Sequence, residues 1–283
     1  MDAKKKLKID WTIKQPVKPS LDRFRRYMRD LGLRPSSIDS YMECIRRFLD
    51  SGKTVPEFLD GLHNRKLAGS TIDNYISCIK KYHAMIGEPI ELHYLKRAEG
   101  IPYYFDEEEV IKLFGVVHNL KHLTMLNLLF YTGLRASELC SLDDGDLDLK
   151  DLSLRIRDGK GGRAAIAFLS NDCGALMKNY LGARPPLIVD GRQPLFYTDF
   201  GKRWDRKDLY RMFILYKKKA NIQKKGGLHV FARHTPATIM IAKGCDVRIV
   251  KELLRHRDIR TTMRYAHVSD KTVRNACEQY LKL

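Results

Sequence analysis

The same residue pattern occurs twice near the start of the chain, 34 positions apart. Residues 37–41 (SIDSY) match residues 71–75 (TIDNY), and residues 44–48 (CIRRF) match residues 78–82 (CIKKY). Apolar residues in both copies recur with the period of an α-helix that has one buried face. Two copies are too few for a solenoid, and no third copy follows. The repeat therefore predicts a compact four-helix module that contains two equivalent helices.

Two further helices complete this module. Apolar residues at helical spacing begin after Ser20 and stop at Gly32, and a shorter stretch begins at Val55. The first of the two equivalent helices is expected to follow Ser36 and Ser37 and to end at Gly52, and the second is expected from Ser70 to Ile86. Glycine or proline stands at most of these boundaries, as is usual where helices begin and end.

Basic residues exceed acidic ones by a wide margin. The chain has 52 Lys and Arg against 34 Asp and Glu, a formal net charge of +18 at pH 7. Such an excess is typical of proteins that bind polyanions, so nucleic acid is the leading candidate partner. A basic protein whose charge only aids solubility is the alternative. Arg46, Arg47, Lys80 and Lys81, on the two equivalent helices, are the predicted phosphate contacts. An ordinary solvated helix face explains any single one of them about as well.

A change in composition divides the chain into two domains. Glycine, proline and basic residues are concentrated between positions 87 and 104, which is the composition of a linker. We expect five parts: a basic, loose N-terminus over 1–19, a helical core DNA-binding domain over 20–90, a linker over 91–104, a larger domain over 105–270 and a tail helix over 271–283.

The larger domain is expected to mix helices with one small sheet. Residues 106–109 (DEEE) suit the positive N-terminal end of a helix, and a second helix is predicted over 120–131. Apolar and polar residues alternate over 152–156 and 166–168, which predicts a β-hairpin with Lys160 at its tip. The rest of the chain is expected to be mostly helical. The predicted fold class is therefore mainly α with a small antiparallel β-sheet.

Several common kinds of site are not supported. Residues 159–164 (GKGGRA) match a dinucleotide-binding pattern, but that pattern needs a helix directly afterwards and this segment leads into a strand. The sequence has no nucleotide-binding P-loop and no zinc-protease motif. His118 and His122 share a helix face but have no third ligand nearby. We therefore expect no metal and no cofactor.

The cysteines and the apolar segments bear on location. The six cysteines are widely spaced and form no Cys-x-x-Cys pair, which fits a reducing cytoplasm. The N-terminus lacks the apolar core of a signal peptide. The longest apolar stretch, residues 123–134, is too short and too interrupted to cross a bilayer. We expect a cytoplasmic protein without a membrane partner.

Four segments that are far apart in sequence contain cations, imidazoles and one phenol. They are residues 131–139 (YTGLRASEL), 229–235 (HVFARHT), 253–256 (LLRH) and 261–267 (TTMRYAH). In type and order they resemble the tyrosine recombinases of the phage-integrase and Xer type, and the compact chain is similar in size to the archaeal XerA group. The resemblance implies a helical SAM-like core-binding domain and a mixed α+β catalytic domain that clamp a DNA duplex.

The resemblance also implies how phosphate is bound. Attack on phosphorus builds negative charge on the non-bridging oxygens, and the forked, permanently charged donors of Arg135 and Arg233 can hold those oxygens. His256 is expected to donate a hydrogen bond to the same phosphate. These three groups match motif positions of the family, and neither a metal nor ATP is required.

The remaining roles belong to the nucleophile and its proton-transfer partners. Tyr265 matches the family's nucleophile, which forms a 3′-phosphotyrosyl bond; its phenol needs help because its ordinary pKa is about 10. His229 is the expected base, and Lys160 is the expected general acid for the departing 5′ oxygen. Arg163 is a rival for that last role. Supporting positions are expected for His234, Thr235 and His267.

Three residues depart from the family's pattern. Ala232 is an extra residue between His229 and Arg233, although residues four apart on a helix still share a face. Pro236 stands where an aromatic residue is common, and it is expected to disfavour helical geometry at the preceding residue and to kink the segment. Arg255 stands where the family usually has glycine, and it either crowds the following histidine or adds a DNA phosphate contact.

The tail helix carries an apolar stripe. Val273, Ala276, Cys277, Tyr280 and Leu281 recur at helical spacing. The resemblance implies that this helix docks on a neighbouring protomer and couples active sites within a tetramer on DNA. Packing on its own domain is an equally good explanation.

The expected function is therefore site-specific DNA recombination by strand transesterification. Chromosome dimer resolution of the Xer type is the favoured role, since no additional N-terminal arm-binding domain is evident, and integration of a mobile element remains an alternative. A catalytically weakened family member that binds DNA or shapes it is the alternative from another class, because of the three departures.

Overall fold

The computed structural model describes residues 20–96, 102–157, 164–266 and Glu278. The chain divides into two compact units, Met1–Ala98 and Glu99–Leu283. The boundaries predicted for the N-terminus, linker and tail stay predictions.

The first unit is a bundle of four helices. Ser20 caps the first helix by accepting a hydrogen bond from the backbone N–H of Arg23, and Pro35 and Pro56 stand in the first turns of the second and third helices, where no donor is needed. The apolar faces meet in one core that includes Phe24, Ile45 and Ile79. The helices are α1 (Leu21–Asp30), α2 (Pro35–Asp50), α3 (Val55–Asn64) and α4 (Gly69–Ile86).

The two repeated helices, α2 and α4, pack against each other. The side chains of Ser40 and Asn74, which are equivalent positions of the repeat, lie 3.4 Å apart. The hydroxyls of Tyr41 and Ser77 are 2.9 Å apart, and the Cys78 thiol donates to the carbonyl of Tyr41 at 3.2 Å. The repeated pattern thus supplies both faces of one helix pair.

The second unit surrounds its own apolar core. The described helices and strands are α5 (Glu107–Gly115), α6 (Leu120–Thr132), α7 (Ala136–Cys140), β1 (Leu147–Asp148), β2 (Ser153–Ile156), β3 (Ala165–Phe168), α8 (Asn171–Ala183), α9 (Arg206–Lys219), α10 (Thr235–Ala242), α11 (Val247–Leu254) and α12 (Arg260–Met263). A 3-10 turn covers Asp144–Asp146, and a π-helical turn covers Val230–His234. Together with the first unit this confirms the predicted fold class, mainly α with a small antiparallel sheet.

The three described strands form an antiparallel sheet in the order β1-β2-β3. Leu147 pairs with Leu154, and Ser153 pairs with Phe168 across the predicted hairpin. The alternation on β2 buries Leu154 and Ile156. The sequence did not predict β1, because two residues are too few to show an alternating pattern.

The helix around Pro236 differs from the prediction. We expected Pro236 to disfavour helical geometry at Thr235, but Thr235 has φ −61° and ψ −57° and begins α10. The π-turn directly before it gives the reason: the N–H of Thr235 donates to the carbonyl of Val230, five residues back, so this turn holds one residue more than an α-helical turn. The extra residue, Ala232, lies inside this turn, and Pro236 follows where the hydrogen-bond pattern changes and needs no donor.

Other observations concern the whole described part of the chain. None of its helices combines the length and apolarity that a membrane crossing requires. Its cysteines, Cys44, Cys78, Cys140, Cys173 and Cys245, carry free thiols. No group of three His, Cys, Asp or Glu side chains in these ranges is arranged to hold a metal ion.

Candidate active site

The C-terminal ends of α6 and α11 meet in the second unit. Gly133 follows α6 in the left-handed region with φ +59°, and a Cβ there would lie only 3.0 Å from Leu254 at the end of α11. The last carbonyls of a helix lack partners inside the helix and carry partial negative charge. Two helix ends in contact therefore create a place that favours cations.

Arg233 occupies this place. Its Nη1 donates to the carbonyl of Gly133 at 2.5 Å and its Nη2 to the carbonyl of Leu254 at 2.7 Å. The residue is only 2% exposed, the most completely buried arginine side chain in the described part of the core. Burial, with the nearby charges of Arg135 and Arg255, lowers its pKa to about 9, which still leaves the guanidinium charged at neutral pH.

Arg135 stands at the start of α7, three residues before a buried carboxylate. The backbone N–H of Arg135 donates to Glu138 Oε2 at 2.8 Å, and its Nη1 donates to Oε1 at 2.7 Å. This is the return half of a capping box, in which the third residue of a helix reaches back to the residue before the helix. The arrangement fixes the side chain of Arg135 while leaving about a fifth of it exposed.

Arg255 shares the same carboxylate. It follows α11 with φ +52° and ψ +47°, a left-handed conformation that costs a residue with a side chain about 1 kcal/mol. Its Nη2 donates to Glu138 Oε2 at 3.1 Å and to the carbonyl of Gly133 at 2.9 Å, the carbonyl that also binds Arg233. The guanidiniums of Arg135, Arg233 and Arg255 are thus linked through one carboxylate and one carbonyl. Three positive charges and one negative charge give this cluster a net charge of +2.

Glu138 keeps its negative charge despite being only 3% exposed. Burial raises the pKa of its carboxyl, but the hydrogen bond from the backbone of Arg135 and the charges of Arg255 and Arg135 together lower it below the ordinary value. A permanently ionised Glu138 can therefore hold the two arginines in fixed positions.

His256 follows Arg255 and belongs to the same cluster. Its Nδ1 lies 2.9 Å from the hydroxyl of Thr262, which fixes the ring and leaves Nε2 for another partner. Burial and the charges of Arg233 and Arg135 lower the pKa of His256 to about 4. The imidazole is neutral at physiological pH without a bound anion.

Tyr265 lies within electrostatic range of Arg233 and is 6% exposed. Its ring packs with Ala237, Val250 and Leu254. Burial raises the pKa of the phenol, and the charge of Arg233 acts in the opposite direction but does not outweigh burial. The phenol is therefore protonated at rest, and the proximity of Arg233 is the feature that can stabilise its oxyanion.

The group in direct contact with the phenol is His234. Tyr265 Oη and His234 Nδ1 are 2.8 Å apart. The rings of His234 and His229 are in edge contact, with centroids 4.9 Å apart. Burial, together with the neighbouring His229 and Arg264, lowers the pKa of His234 to about 4. A neutral imidazole at rest accepts the phenolic proton as a hydrogen bond.

Most of the predicted site residues thus come together. Arg135, Arg233 and His256 interact electrostatically, and Arg233 interacts with Tyr265 in the same way. His229 is exposed at the edge of the cluster and reaches the phenol through His234. Lys160, the predicted general acid, lies outside the described residues, as do Arg163 and His267.

Glu138 and Thr262 were not identified from the sequence as site groups, and His234 was assigned only a supporting role. Glu138 had a detectable signal, because a carboxylate three residues into a helix is typical of a capping box. His234 was expected to support the site but not to touch the nucleophile. Thr262 carried no signal, since its contact with His256 depends on the turn between α11 and α12.

The basic residues predicted to contact DNA fall into two groups. In the first unit, Arg46 and Arg47 both bind the carboxylate of Glu43 at 2.9 Å. Lys80 donates to the carbonyl of Leu92, and Lys81 donates to the hydroxyl of Ser77. In the second unit Arg255 is engaged with protein acceptors. Their contacts with DNA stay predictions.

The described cluster can bind one tetrahedral anion beside a phenol. Forked guanidinium donors, a neutral imidazole with one free nitrogen and a phenol hydrogen-bonded to a second imidazole are the groups needed to transfer a phosphoryl ester from an alcohol to a phenol. A hydrolytic water would need a base of its own. The arrangement favours transesterification.

Comparison with known proteins identifies a family and several similar chains. The sequence profile of the phage integrase family matches residues 104–272. The tyrosine recombinase XerA of Pyrococcus horikoshii is 30% identical over 270 residues, which are 92% of each chain. XerA of Pyrococcus furiosus is 30% identical over 92% of this chain and 93% of that protein.

Two solved structures have similar folds. The crystal structure of a XerA recombinase covers 93% of this chain with 98% of its own, at 26% identity and a TM-score of 0.56. The Tn1549 transposon integrase, solved in complex with a circular intermediate DNA, covers 92% of this chain with 98% of its own, at 19% identity and a TM-score of 0.73. At that identity the second likeness concerns the fold alone.

Proposed function

The chain belongs to the phage integrase family and is a tyrosine recombinase, and from this premise we propose that it cuts and rejoins double-stranded DNA through a covalent bond between Tyr265 and a 3′ phosphate. The observation that supports the proposal is that Arg135, Arg233 and His256 lie close enough to interact electrostatically, and that Arg233 interacts in the same way with the phenol of Tyr265. These groups come from four separate segments of the sequence.

In the proposed complex the scissile phosphate lies against Arg135 and Arg233. Their guanidiniums hold the non-bridging oxygens, on which charge increases in the transition state. Nε2 of His256 donates a further hydrogen bond, since Nδ1 is held by Thr262. The bound anion also raises the pKa of His256 from about 4 towards neutrality, because a nearby negative charge favours imidazolium.

The cleavage step forms one bond and breaks another. Tyr265 Oη bonds to phosphorus, the bond from phosphorus to the 5′ oxygen breaks, and the phenolic proton passes to an imidazole. His234 is in contact with the phenol and His229 is in contact with His234, so the predicted base His229 acts through its neighbour. The 5′ oxygen takes a proton from Lys160. Each step runs in reverse on rejoining, so the energy of the ester is retained.

Contacts with the rest of the duplex fall to the basic residues of both units. Arg46, Arg47, Lys80 and Lys81 are the proposed phosphate contacts of the first unit, and the net charge of +18 supports them. XerH recombinase has been solved bound to its difH substrate, and the Tn1549 integrase with DNA, which makes duplex DNA the proposed partner here.

We place the biological role in Xer-type chromosome dimer resolution in the cytoplasm. The support is the similarity to proteins named XerA over nearly the full length of both chains, and the free thiols of the described cysteines fit a reducing compartment. Integration of a mobile element is the alternative role for the same chemistry.

A groove on the second unit supports the proposed assembly into a tetramer. It has a volume of about 360 Å³, and its lining includes Val110, Phe114 and Met240. Ile111 and Tyr131 at its edge are 69% and 44% exposed, so the groove and its edge present neighbouring apolar side chains to solvent. The apolar stripe of the tail over 271–283, from a second copy on DNA, is the proposed occupant.

A nicked duplex tests the chemistry directly. In a pool of duplexes with a randomised central segment and a single nick, cleavage releases the short fragment that carries the free 5′ hydroxyl. Without that fragment the strand cannot be rejoined, so a covalent adduct accumulates and its DNA can be sequenced. The wild-type chain is expected to give an adduct that survives denaturant, while Tyr265→Phe gives none. Binding of the pool without any adduct from the wild type contradicts the proposal and favours a DNA-shaping protein without strand cleavage.

A further inference from the structure

Arg255 has an uncommon backbone conformation. It is the residue that ends α11, with φ +52° and ψ +47°, and the left-handed region is one that glycine adopts freely and long side chains rarely do. A residue held there against steric cost is usually fixed by its surroundings. In this case the surroundings are contacts of its own side chain.

Both terminal nitrogens of the Arg255 guanidinium donate to protein acceptors, whereas its buried Nε has no hydrogen-bond partner among the described residues. Nη1 donates to the carbonyls of Thr132 at 3.0 Å and Leu253 at 2.9 Å. Nη2 donates to the carbonyl of Gly133 at 2.9 Å and to Glu138 Oε2 at 3.1 Å. The side chain is 12% exposed.

These acceptors connect the other site arginines. The carbonyl of Gly133 is shared with Arg233, and Glu138 is shared with Arg135. Thr132 and Leu253 belong to the ends of α6 and α11, whose carbonyls attract a cation. Arg255 therefore joins the ends of α6 and α11 by hydrogen bonds. It shares one acceptor with Arg233 and another with Arg135.

We propose that Arg255 is a positioning residue, which holds Arg135, Arg233 and the adjacent His256 in register around the scissile phosphate and does not itself bind DNA. The proposal rests on the function proposed above. It replaces the sequence-based expectation of a phosphate contact at this position.

The competing role requires a rearrangement that the contacts oppose. To reach a phosphate, the Arg255 guanidinium has to leave Glu138 and the carbonyls of α6 and α11. A buried carboxylate and helix-end carbonyls would lose a charged donor, which is costly when no water replaces it. A phosphate oxygen would also have to replace, for the guanidinium, the several protein acceptors that it had left.

Two substitutions of Arg255 separate the roles, with a nicked duplex recovered from the pool as probe. Arg255→Lys keeps the charge and removes the forked donors. Arg255→Gly removes the whole side chain and relieves the left-handed backbone. The measurements are the rate of adduct formation at saturating DNA, DNA affinity as a function of salt and the thermal unfolding midpoint. Arg248→Ala is the matched control, since Arg248 is an exposed residue of α11 that pairs with Asp246.

A positioning role predicts a selective loss of rate. Both Arg255 variants are expected to form adduct more slowly by about tenfold to a hundredfold at saturation, because small displacements of reacting groups have effects of that order. Affinity and its salt slope are expected to match the wild type. A merely structural role would lower the unfolding midpoint without changing the rate of the folded protein.

Other outcomes overturn the proposal. A salt slope reduced by about one in Arg255→Gly, as removal of one phosphate contact predicts, identifies Arg255 as a DNA ligand. Wild-type rates in both variants show that Arg255 positions nothing. If the glycine variant does not fold, Arg255→Lys still decides between these outcomes. Failure of the wild-type chain to form adduct contradicts the proposed function instead, and is seen before any variant is compared.

Discussion

The phenol of Tyr265 and the imidazole of His234 are joined by a hydrogen bond of 2.8 Å, which places His234 nearer to the proposed nucleophile than the predicted base His229. We expect His234→Ala to slow adduct formation by about a hundredfold, because removal of a proton-transfer partner has effects of that order. His229→Ala acts through His234 and is expected to have a smaller effect. Rates measured on a nicked duplex at saturation check the order of the two effects.

The reverse order would identify His229 as the group that takes the proton in the DNA complex. His234→Gln is a useful control, because an amide can accept the phenolic hydrogen bond but cannot take the proton. If His234→Gln is as stable to unfolding as the wild type but forms adduct as slowly as His234→Ala, the lower rate is due to the loss of proton transfer and not to a loss of packing.

Two imidazoles make stability depend on pH. The pKa values of His234 and His256 are lowered from 6.5 to about 4, chiefly by burial. Between these values the unfolded chain binds protons that the folded protein does not, so the free energy of unfolding falls as pH is lowered from about 6.5 to about 4. The contribution is fully present above about 6.5. Urea unfolding at several pH values checks the direction.

A variant with both imidazoles replaced by asparagine is expected to show a shallower dependence over the same range. His118→Asn, at an exposed histidine of the same unit, is the control and is expected to keep the wild-type slope. If the free energy of unfolding changes equally with pH in the wild type, the double asparagine variant and His118→Asn, then His234 and His256 are not the source of the pH dependence.

Glu138 and Glu43 each bind two arginines, one carboxylate in a buried site and the other on the surface, and they offer a direct comparison. Glu138 accepts from Arg135 and Arg255 at 3% exposure, and its replacement by glutamine leaves buried guanidiniums without a counter-charge, at a cost of about 3–5 kcal/mol. Glu43 accepts from Arg46 and Arg47 on an open surface, so Glu43→Gln is expected to change the free energy of unfolding much less. Urea unfolding of both variants checks the contrast. Similar losses of unfolding free energy in Glu138→Gln and Glu43→Gln would show that burial does not determine how strongly these ion pairs stabilise the fold.

The helices could be predicted because their signals are local. The apolar spacing of α2 and α4, and the residues that cap and end the helices, lie within single turns of chain. β1 and the π-turn could not, since β1 exists only through pairing with β2, and the π-turn depends on how an extra residue is accommodated between two fixed helix segments.

The site divides in the same way. Arg135, Arg233, His256 and Tyr265 could be predicted because their motifs are recognisable along the chain. The bond between His234 and Tyr265 joins residues 31 apart, and that between Arg255 and Glu138 joins residues 117 apart. Such contacts depend on the meeting of helix ends, which no sequence pattern records, and so Arg255 resembled a DNA contact.

The π-turn and Pro236 are expected to depend on each other. Deletion of Ala232 alone would put Pro236 inside an uninterrupted α-helix, where its ring meets the carbonyl four residues earlier at a cost of about 3 kcal/mol. Adding Pro236→Ala to the deletion removes that clash, so the combined variant is expected to be more stable than the deletion alone. Pro236→Ala in the full-length chain is expected to have a smaller effect. Equal stability of the deletion with and without Pro236→Ala would contradict this coupling.

The groove on the second unit gives a prediction about assembly. Ile111 is 69% exposed at the edge of the groove, and Ile111→Asp puts a charge where the tail of a second copy is proposed to dock. We expect this variant to bind a single DNA site as the wild type does and to assemble synaptic complexes at least about tenfold less well, since each factor of ten corresponds to about 1.4 kcal/mol of lost contact. Ile249→Asp changes an isoleucine of α11 that is 59% exposed and outside the groove, and it serves as the control.

Removal of residues 271–283 is expected to weaken synaptic assembly as much as Ile111→Asp does. A chain with both changes is expected to assemble no worse than a chain with either one, because both changes abolish the same contact. Additive losses in gel-shift titrations of two-site DNA would show that the tail and the groove act separately.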